Sequence, residues 1–579
     1  MVSPADVLTE RLQRALVAAF GGEYAGTDPV LRPSQFADFQ ANVALALAKR
    51  LGSNPRAVAT TLVEHLDVAD VCVAPEVSGP GFVNLTLRGD WLATQATGQA
   101  ADPRLGVPVQ QPQLVPIDYS APNVAKEMHV GHLRTTVVGD ALARTLEHLG
   151  HRVVRQNHIG DWGTPFGMLI EHLLDVGEDS EAAKLLASDP NAFYQAARAE
   201  FDADTDGFAD RARRRVVALQ AGDPDTLRLW QELIDLSTAY FNSIYDLLDV
   251  TLTDADLAGE STYNAELAQI CDELEAAGLA TVSDGALCVF LEEFTGREGK
   301  PVPLIVRKSD GGYGYGTTDL ATIRHRVRDL HADRVLYVVG APQHLHLQMV
   351  FAAARKAGWL PDDVEVVHVQ IGNVLGADGK ILKTRSGAPL RLRALLEEAV
   401  ERAAAVLEEA RPELSPEERG RIARQVGIGA VKYADLSVAH DSEYTFDLDR
   451  MVSLTGNTGP YLQYAAARIR SILRRAEEGG VSPVNGPIVQ TEDAERDLML
   501  ALLGFGDVVA GVGAALEPHR LCGYLFDLAQ RFTTFYDQCP VLKAPEPAVR
   551  DARLRLCGLT LRVLEQGLGL LGIAAPERM

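Results

Sequence analysis

Two histidines, His129 and His132, close the stretch Ser120-Ala121-Pro122-Asn123-Val124-Ala125-Lys126-Glu127-Met128-His129-Val130-Gly131-His132. The segment before it, Leu114 to Tyr119, reads as an apolar strand. After it, Leu133, Val137, Ala141, Thr145 and Leu149 recur at helical spacing, and Gly150 stands where a helix would end. A loop that runs from a strand into a helix N-terminus offers free backbone N–H groups and the positive end of the helix dipole to an anion. The chemistry suggested is phosphate binding, with two imidazoles near one point and Gly131 letting a base or ribose approach the backbone. Taken alone, two histidines three residues apart also fit a metal-ligand pair or an exposed helix end.

Stepping outward, His151 to His158 reads as a short strand, and Ile159-Gly160-Asp161-Trp162-Gly163-Thr164-Pro165-Phe166-Gly167 opens a second helix. This βαβ pattern predicts a parallel sheet with a ligand crevice at the strand C-termini. Pro303 to Val306 reads as the start of the second half of that fold. Ser309-Asp310-Gly311-Gly312 reads as a hairpin turn rather than a phosphate loop, because no Gly-Lys-Ser/Thr follows, and Tyr313 to Asp319 leads into a helix at Leu320. A strand at Arg334 to Val339 ends at Gly340-Ala341-Pro342-Gln343-His344-Leu345-His346, where the histidines read as helix caps rather than metal ligands. Val366 to Gly372 is a further strand, followed by Asp378-Gly379-Lys380-Ile381-Leu382-Lys383-Thr384-Arg385-Ser386-Gly387. That basic Ser/Thr/Gly loop suits gripping a triphosphate, and equally suits an ordinary basic surface loop.

The 579-residue chain is too long for one core, so about three or four domains are expected. Six cysteines lie scattered without a Cys-x-x-Cys pair and read as reduced core residues, not as a zinc knuckle or disulfide framework. A formal net charge of -24 argues against indiscriminate nucleic-acid binding while leaving room for a local basic face. No apolar run approaches the ~20 residues needed to cross a bilayer, and the N-terminus lacks a signal pattern, so a soluble cytoplasmic protein is expected. Asp175 to Glu260 is acidic and helical in period, which reads as an insertion with a solvated face. From Gly456 the chain is helical throughout, with Leu525, Leu528, Phe532 and Phe535 at helical spacing. Aromatics beside arginines in such a bundle can stack unpaired bases.

Ser-Ala-Pro-Asn-Val-Ala-Lys before His129, Asp140 after His132, the Gly160-Asp161-Trp162-Gly163 phrase and the terminal Glu577-Arg578-Met579 together resemble the arginyl-tRNA synthetases of class I. The resemblance implies a multidomain α/β chain. Its parts are an α+β N-terminal module that touches the tRNA elbow (1–105), a class I Rossmann-like parallel-sheet catalytic domain (106–400, with the helical insertion at about 175–260), a connecting stem-contact region (401–455) and an all-α anticodon-binding bundle (456–579). The implied reaction joins L-arginine to the 3′ end of tRNA(Arg) through an arginyl-adenylate. ATP would arrive with Mg²⁺, no metal would be tightly bound, and the enzyme would act as a monomer away from membranes.

The same resemblance assigns His129, Gly131 and His132 to ATP, with Lys126 upstream. The loop in the KMSKS position is degenerate, with Lys383, Arg385 and Ser386 but no Lys-x-x-Lys, so Lys126 would replace the missing lysine and activation would need bound tRNA. Asp118, Tyr315 and Asp319 are implied at the arginine guanidinium, and Ser120, Asn123, His132 and Gln343 at its amino and carboxylate groups. Asp118 is one methylene shorter than the Glu of some relatives, and Asp319 also fits a helix cap. Phe36, Gln40 and Asn42, with Asp38 between them, align with elbow contacts, and Tyr461, Gln463, Tyr464 and Arg468 with anticodon contacts. Capping and core packing explain these positions equally well. An inactive tRNA-binding paralogue would lack the histidine signature, and a small-molecule ligase would lack the terminal modules, whereas this chain carries both.

Overall fold

Val115, Ile117, Leu336 and Val338 are fully buried, and strands covered on both faces are what parallel sheets require. The computed structural model describes residues 3–296, 299, 301–383, 390–481, 486–544 and 546–579, apart from the side chains of Thr164, Ala187, Ser188 and Thr205. Its central sheet is all-parallel, in the order Glu365–Ile371, Arg334–Gly340, Leu114–Asp118, Arg152–Gln156. Strand order reverses between Leu114–Asp118 and Arg334–Gly340, so a crevice opens beyond their carboxyl ends. The helix Val130–Leu149 crosses from the first strand to its neighbour and ends on Gly150 in the left-handed conformation. It approaches the sheet closely at Gly139, where a Cβ would lie 2.3 Å from the Tyr119 side chain.

Between the two halves, helices Pro190–Ala203, Phe208–Gln220 and Pro224–Leu248 form the acidic insertion. Pro301–Arg307 does not begin the second half of the parallel sheet as expected. It pairs antiparallel with Ala286–Thr295 in a separate three-stranded sheet. The tight turn expected at Ser309–Gly312 is present, with Gly311 N–H donating to the Lys308 carbonyl (2.9 Å) and Lys308 N–H to the Gly312 carbonyl (2.8 Å), but it leads into the helix Tyr315–Arg328 rather than a second strand. Sequence periodicity cannot say which sheet a short apolar strand joins, and here the partner decided it.

In the N-terminal module, four strands pair antiparallel in the order Leu31–Pro33, Phe39–Ala41, Phe82–Leu85, Glu76–Ser78. The helix expected from Phe39 to Leu51 starts only at Val43, because Phe39–Ala41 is claimed by a sheet partner on each side. The C-terminal bundle comprises Gly459–Glu478, Asp493–Leu503, Phe505–Ala515, His519–Gln538 and Pro547–Leu570. Within it, Asp493–Ala515 has by length and composition alone what a membrane span needs, although Asp497 and Asp507 interrupt its apolar run. In the structure it is two helices that break at Gly504 and bury Leu498, Leu502, Phe505 and Val509 in the core.

The parts interlock through buried polar pairs. Arg134 of the helix Val130–Leu149 meets Asp435 at 3.3 Å, both fully buried. Asp38 of the N-terminal module accepts from Arg496 of the bundle at 2.5 and 3.0 Å and from the Leu87 backbone N–H at 2.7 Å. Gln99 donates to the Leu502 carbonyl at 2.7 Å.

Candidate active site

The loop before the histidines is held in a conformation it would not choose. Ser120, Ala121 and Ala125 have φ of 70°, 46° and 58°, a region that costs non-glycine residues about 1–2 kcal/mol each. The surroundings compensate. Ala121 N–H donates to Asn157 Oδ1 (3.1 Å), Ala125 N–H to Ser237 Oγ (2.9 Å), and the Ser120 hydroxyl lies between Tyr245 OH (2.8 Å) and Thr136 Oγ1 (2.9 Å). Ser237 and Tyr245 belong to the insertion helix Pro224–Leu248, so the insertion shapes the loop. Gly160 lets Asn123 approach the backbone, since a Cβ there would stand 2.5 Å from Asn123 Oδ1.

The two histidines fix one another. His129 caps the helix, its Nδ1 accepting from the Gly131 N–H (3.0 Å), while His132 Nδ1 accepts from the His129 N–H (3.1 Å). An acceptor nitrogen carries no proton, so the neutral rings hold theirs on Nε2. Burial lowers both pKa values: His132 falls to about 3 through burial and then through His129, and His129 falls through burial and then Lys126. Both are therefore neutral donors at pH 7. Their ring centroids are 4.0 Å apart at the helix N-terminus, where the Val130 and Gly131 N–H groups are already taken by the Leu390 carbonyl and His129 Nδ1. Lys126 carries its ammonium 4.3 Å from the centre of the Tyr194 ring and makes no ion pair among the described residues. Lys383 is exposed, whereas Arg385 and Ser386 lie outside the described residues.

A cleft of about 300 Å³ is lined by Asn123, Lys126, Tyr194, Glu260, Tyr315 and Thr318 among others. Trp162 of the Gly-Asp-Trp-Gly phrase lines it, packed edge-on against Trp230. Next to the cleft residue Thr318, Asp319 accepts from His346 Nε2 at 2.6 Å and stands 4.0 Å from His158 Nε2. Tyr315, 69% exposed, packs edge-on against the same His346. His346, expected as a helix cap, is thus the partner of Asp319, while His344 stacks on His368. Glu260 was missed by the sequence analysis, because one Glu inside an acidic run carries no signal. Burial pushes its pKa up to about 7; Asp319 and Asp161 push the same way, against His158 and Lys308.

Several expected ligands are placed differently. Asp118 is not open to a ligand guanidinium: it is buried and bonded at 2.7 Å to Arg326, itself fully buried over the Tyr337 ring. A carboxylate sealed in a core needs a cation, and Arg326 supplies it internally. The Ser120 hydroxyl is occupied by Tyr245 and Thr136. Gln343 is exposed at the start of the helix His344–Lys356.

Of the terminal-module candidates, Phe36 is 84% exposed, Gln40 donates to Asn84 Oδ1 (2.8 Å), and Asn42 Oδ1 is buried. Gln463 is fully buried and donates to the Gln425 and Ala574 carbonyls (3.0 and 2.7 Å), so it is a bundle tie rather than a surface contact. Tyr461 packs on Phe526. Tyr464 and Arg468, by contrast, line a trough of about 590 Å³ with Arg474, Arg475 and Tyr536. The Arg468 guanidinium lies 4.5 Å from the Tyr536 ring centre.

Residues 99–448 match the family "tRNA synthetases class I (R), catalytic domain", residues 462–579 the "DALR anticodon binding domain", and residues 6–87 the "Arginyl tRNA synthetase N terminal domain". The chain is 71% identical to the arginine–tRNA ligase of Thermobifida fusca over 100% of both chains, and 54% identical to that of Frankia casuarinae over 96% of both. Among solved structures it resembles the arginyl-tRNA synthetases of Plasmodium falciparum (TM-score 0.85, 27% identity, 100% of both chains) and Thermus thermophilus (TM-score 0.81, 27% identity, 99% of both).

Proposed function

The chain belongs to the arginyl-tRNA synthetases of class I and is an arginine–tRNA ligase, and on that premise we propose how its side chains divide the work. Lys126, His129 and His132 take the ATP phosphates, and Asp319 with Glu260 and Tyr315 takes the arginine guanidinium. The carrying observation is one cleft lined by Lys126 together with Glu260 and Tyr315.

The arginine carboxylate attacks the α-phosphorus in line, its new P–O bond forming as the bond to pyrophosphate breaks. That carboxylate is already ionised, so no base is needed; the protein's part is orientation and charge stabilisation. His129 and His132, neutral with Nε2–H donors, bond to phosphate oxygens. Lys126, with Lys383, faces the leaving pyrophosphate. A 3′-terminal ribose hydroxyl of the tRNA then attacks the arginyl carbonyl, and AMP departs.

A guanidinium presents five donors in a plane, so it is matched by carboxylates placed around it. Asp319 is suited to this because a histidine, not an arginine, holds it, which leaves negative charge for a ligand. The trough at Tyr464, Arg468 and Tyr536 accepts the anticodon loop through stacking and phosphate contacts, and exposed Phe36 meets the tRNA elbow. MgATP is the nucleotide substrate, and the enzyme works as a monomer in the cytoplasm.

Arginine-dependent ATP–pyrophosphate exchange, run with and without tRNA, tests this reading. Exchange that requires tRNA, accompanied by charging of tRNA with arginine, is expected. Exchange at full rate without tRNA would remove the proposed requirement, and charging without arginine-dependent exchange would remove the adenylate pathway.

A further inference from the structure

The residues around Lys126 are gripped by the insertion. Glu127 donates its backbone N–H to Asn191 Oδ1 (3.1 Å), and Asn191 Nδ2 donates back to Glu127 Oε2 (2.8 Å). Arg391, at the C-terminal root of the basic loop, reaches the same Glu127 oxygen (2.8 Å) and Asp189, the residue that caps the insertion helix Pro190–Ala203 (3.2 Å). The backbone beside Arg391 pairs with the histidine signature itself, Val130 N–H to the Leu390 carbonyl (3.0 Å) and Leu392 N–H to the Met128 carbonyl (2.9 Å). From the same helix, buried at Phe193 and Ala197, Tyr194 turns its ring to the Lys126 ammonium.

We infer that Tyr194 is the positioning residue for Lys126: its ring holds the ammonium at the mouth of the cleft, so that the insertion helix aims the cation at the phosphates. The inference rests on the reading that Lys126 serves the leaving pyrophosphate. An aromatic face suits the task better than a carboxylate would. A carboxylate would cancel the charge and compete with the triphosphate, whereas a ring attracts the cation by only about 0.5–2 kcal/mol and leaves it charged and able to turn to a stronger anion. Both groups line the cleft, so the cation needs no large movement to reach a ligand there.

The test is pyrophosphate exchange by the full-length enzyme at saturating tRNA. Tyr194→Leu should lower kcat about tenfold while changing KM for ATP and arginine less than about threefold, whereas Tyr194→Phe, which keeps the ring, should stay within about threefold of wild type. In a Lys126→Ala background, Tyr194→Leu should remove less than about a further twofold, because its effect acts through the lysine. Wild-type exchange in Tyr194→Leu, equal damage from Phe and Leu, or the full tenfold loss persisting without Lys126 would each overturn the assignment. If Lys126→Ala itself exchanges like wild type, the phosphate reading of Lys126 falls first and takes this inference with it. A crippled Lys126→Ala beside an intact Tyr194→Leu removes Tyr194 alone.

Discussion

The cleft and the C-terminal trough both collect polar and aromatic side chains, but they hold them in opposite ways. Around the cleft each candidate group is aimed by a second one: His129 by the Gly131 amide, His132 by the His129 amide, Asp319 by His346, Lys126 by Tyr194. In the trough Arg468 lies over Tyr536, which stacks in turn on Phe532, but Asp537, the carboxylate neighbour of Arg468, is 3.9 Å away and Tyr464 is 43% exposed. Preorganised groups favour a transition state, since no reorganisation is needed when charge develops. Adaptable groups suit a flexible polynucleotide, which brings its own conformations. The contrast predicts steep, single-residue losses in the cleft and shallow, additive ones in the trough.

The steepest loss should come from the guanidinium end. A neutral analogue would leave Asp319 without its partner, and sites built on such pairing reject mismatches by roughly 10⁴-fold. Citrulline, with nearly the outline of arginine and no charge, should be refused by about that factor in kcat/KM, and Asp319→Asn should impair arginine far more than ATP. Citrulline within about tenfold of arginine would break the comparison at its strongest point.

At the phosphate end, Lys126→Ala should depress kcat for pyrophosphate exchange by about 10²–10³-fold with tRNA affinity nearly unchanged. Combined with Lys383→Ala, the losses should be non-additive if both serve the same leaving group. Near wild-type exchange would reduce Lys126 to a solvated loop residue.

The pH profile sharpens the picture of the cleft further. Glu260, raised to about 7 chiefly by burial, is largely protonated below that value and cannot pair with a guanidinium. Arginine capture should therefore strengthen as pH rises through 7, with kcat/KM for arginine about tenfold lower at pH 6 than at pH 8. Glu260→Gln should flatten that step, and a step that survives the substitution would assign it elsewhere.

In the trough, Arg468→Ala or Tyr536→Ala should weaken tRNA about five- to twentyfold, the Arg468→Ala deficit shrinking at high salt and the Tyr536→Ala deficit holding, without changing the exchange kcat at saturating tRNA. A loss in kcat of cleft magnitude would erase the distinction between the two regions. The smallest effect belongs to Ser120→Ala: about 1 kcal/mol of stability from the lost Tyr245 and Thr136 contacts, measured by denaturant unfolding, with little change in arginine KM. A large rise in that KM would return Ser120 to the substrate.

What could be read from the sequence follows the same division. The strand, loop and helix around His129 lie in one continuous stretch, so periodicity, the C-terminal Gly150 and the histidine spacing all report on one place. The parallel strands at Leu114, Arg334 and Glu365 announced themselves by apolar runs and the one at Arg152 by its place between two helices, and the parallel sheet agrees with the fold class implied by the family. Side-chain partners chosen across long separations left no trace. Arg326 taking Asp118, His346 taking Asp319, and Gln463 turning inward to Ala574 depend on packing that no local pattern encodes. Phe39–Ala41 and Pro301–Arg307 depart from their local pattern for the same reason, because their sheet partners lie elsewhere in the chain.

The clasp between the first and last modules also bears on how the chain emerges from the ribosome. Gln99 and its partner Leu502 are 403 residues apart, so at about 5–20 residues per second the acceptor follows the donor by roughly 20–80 s. Throughout that interval Asp38 lacks Arg496, and the face of the helix Gly89–Ala101 that packs on Asp493–Leu503 is uncovered. The nascent N-terminal module is therefore a natural client for holding chaperones, and any product terminated before Asp493 would keep that sticky face permanently.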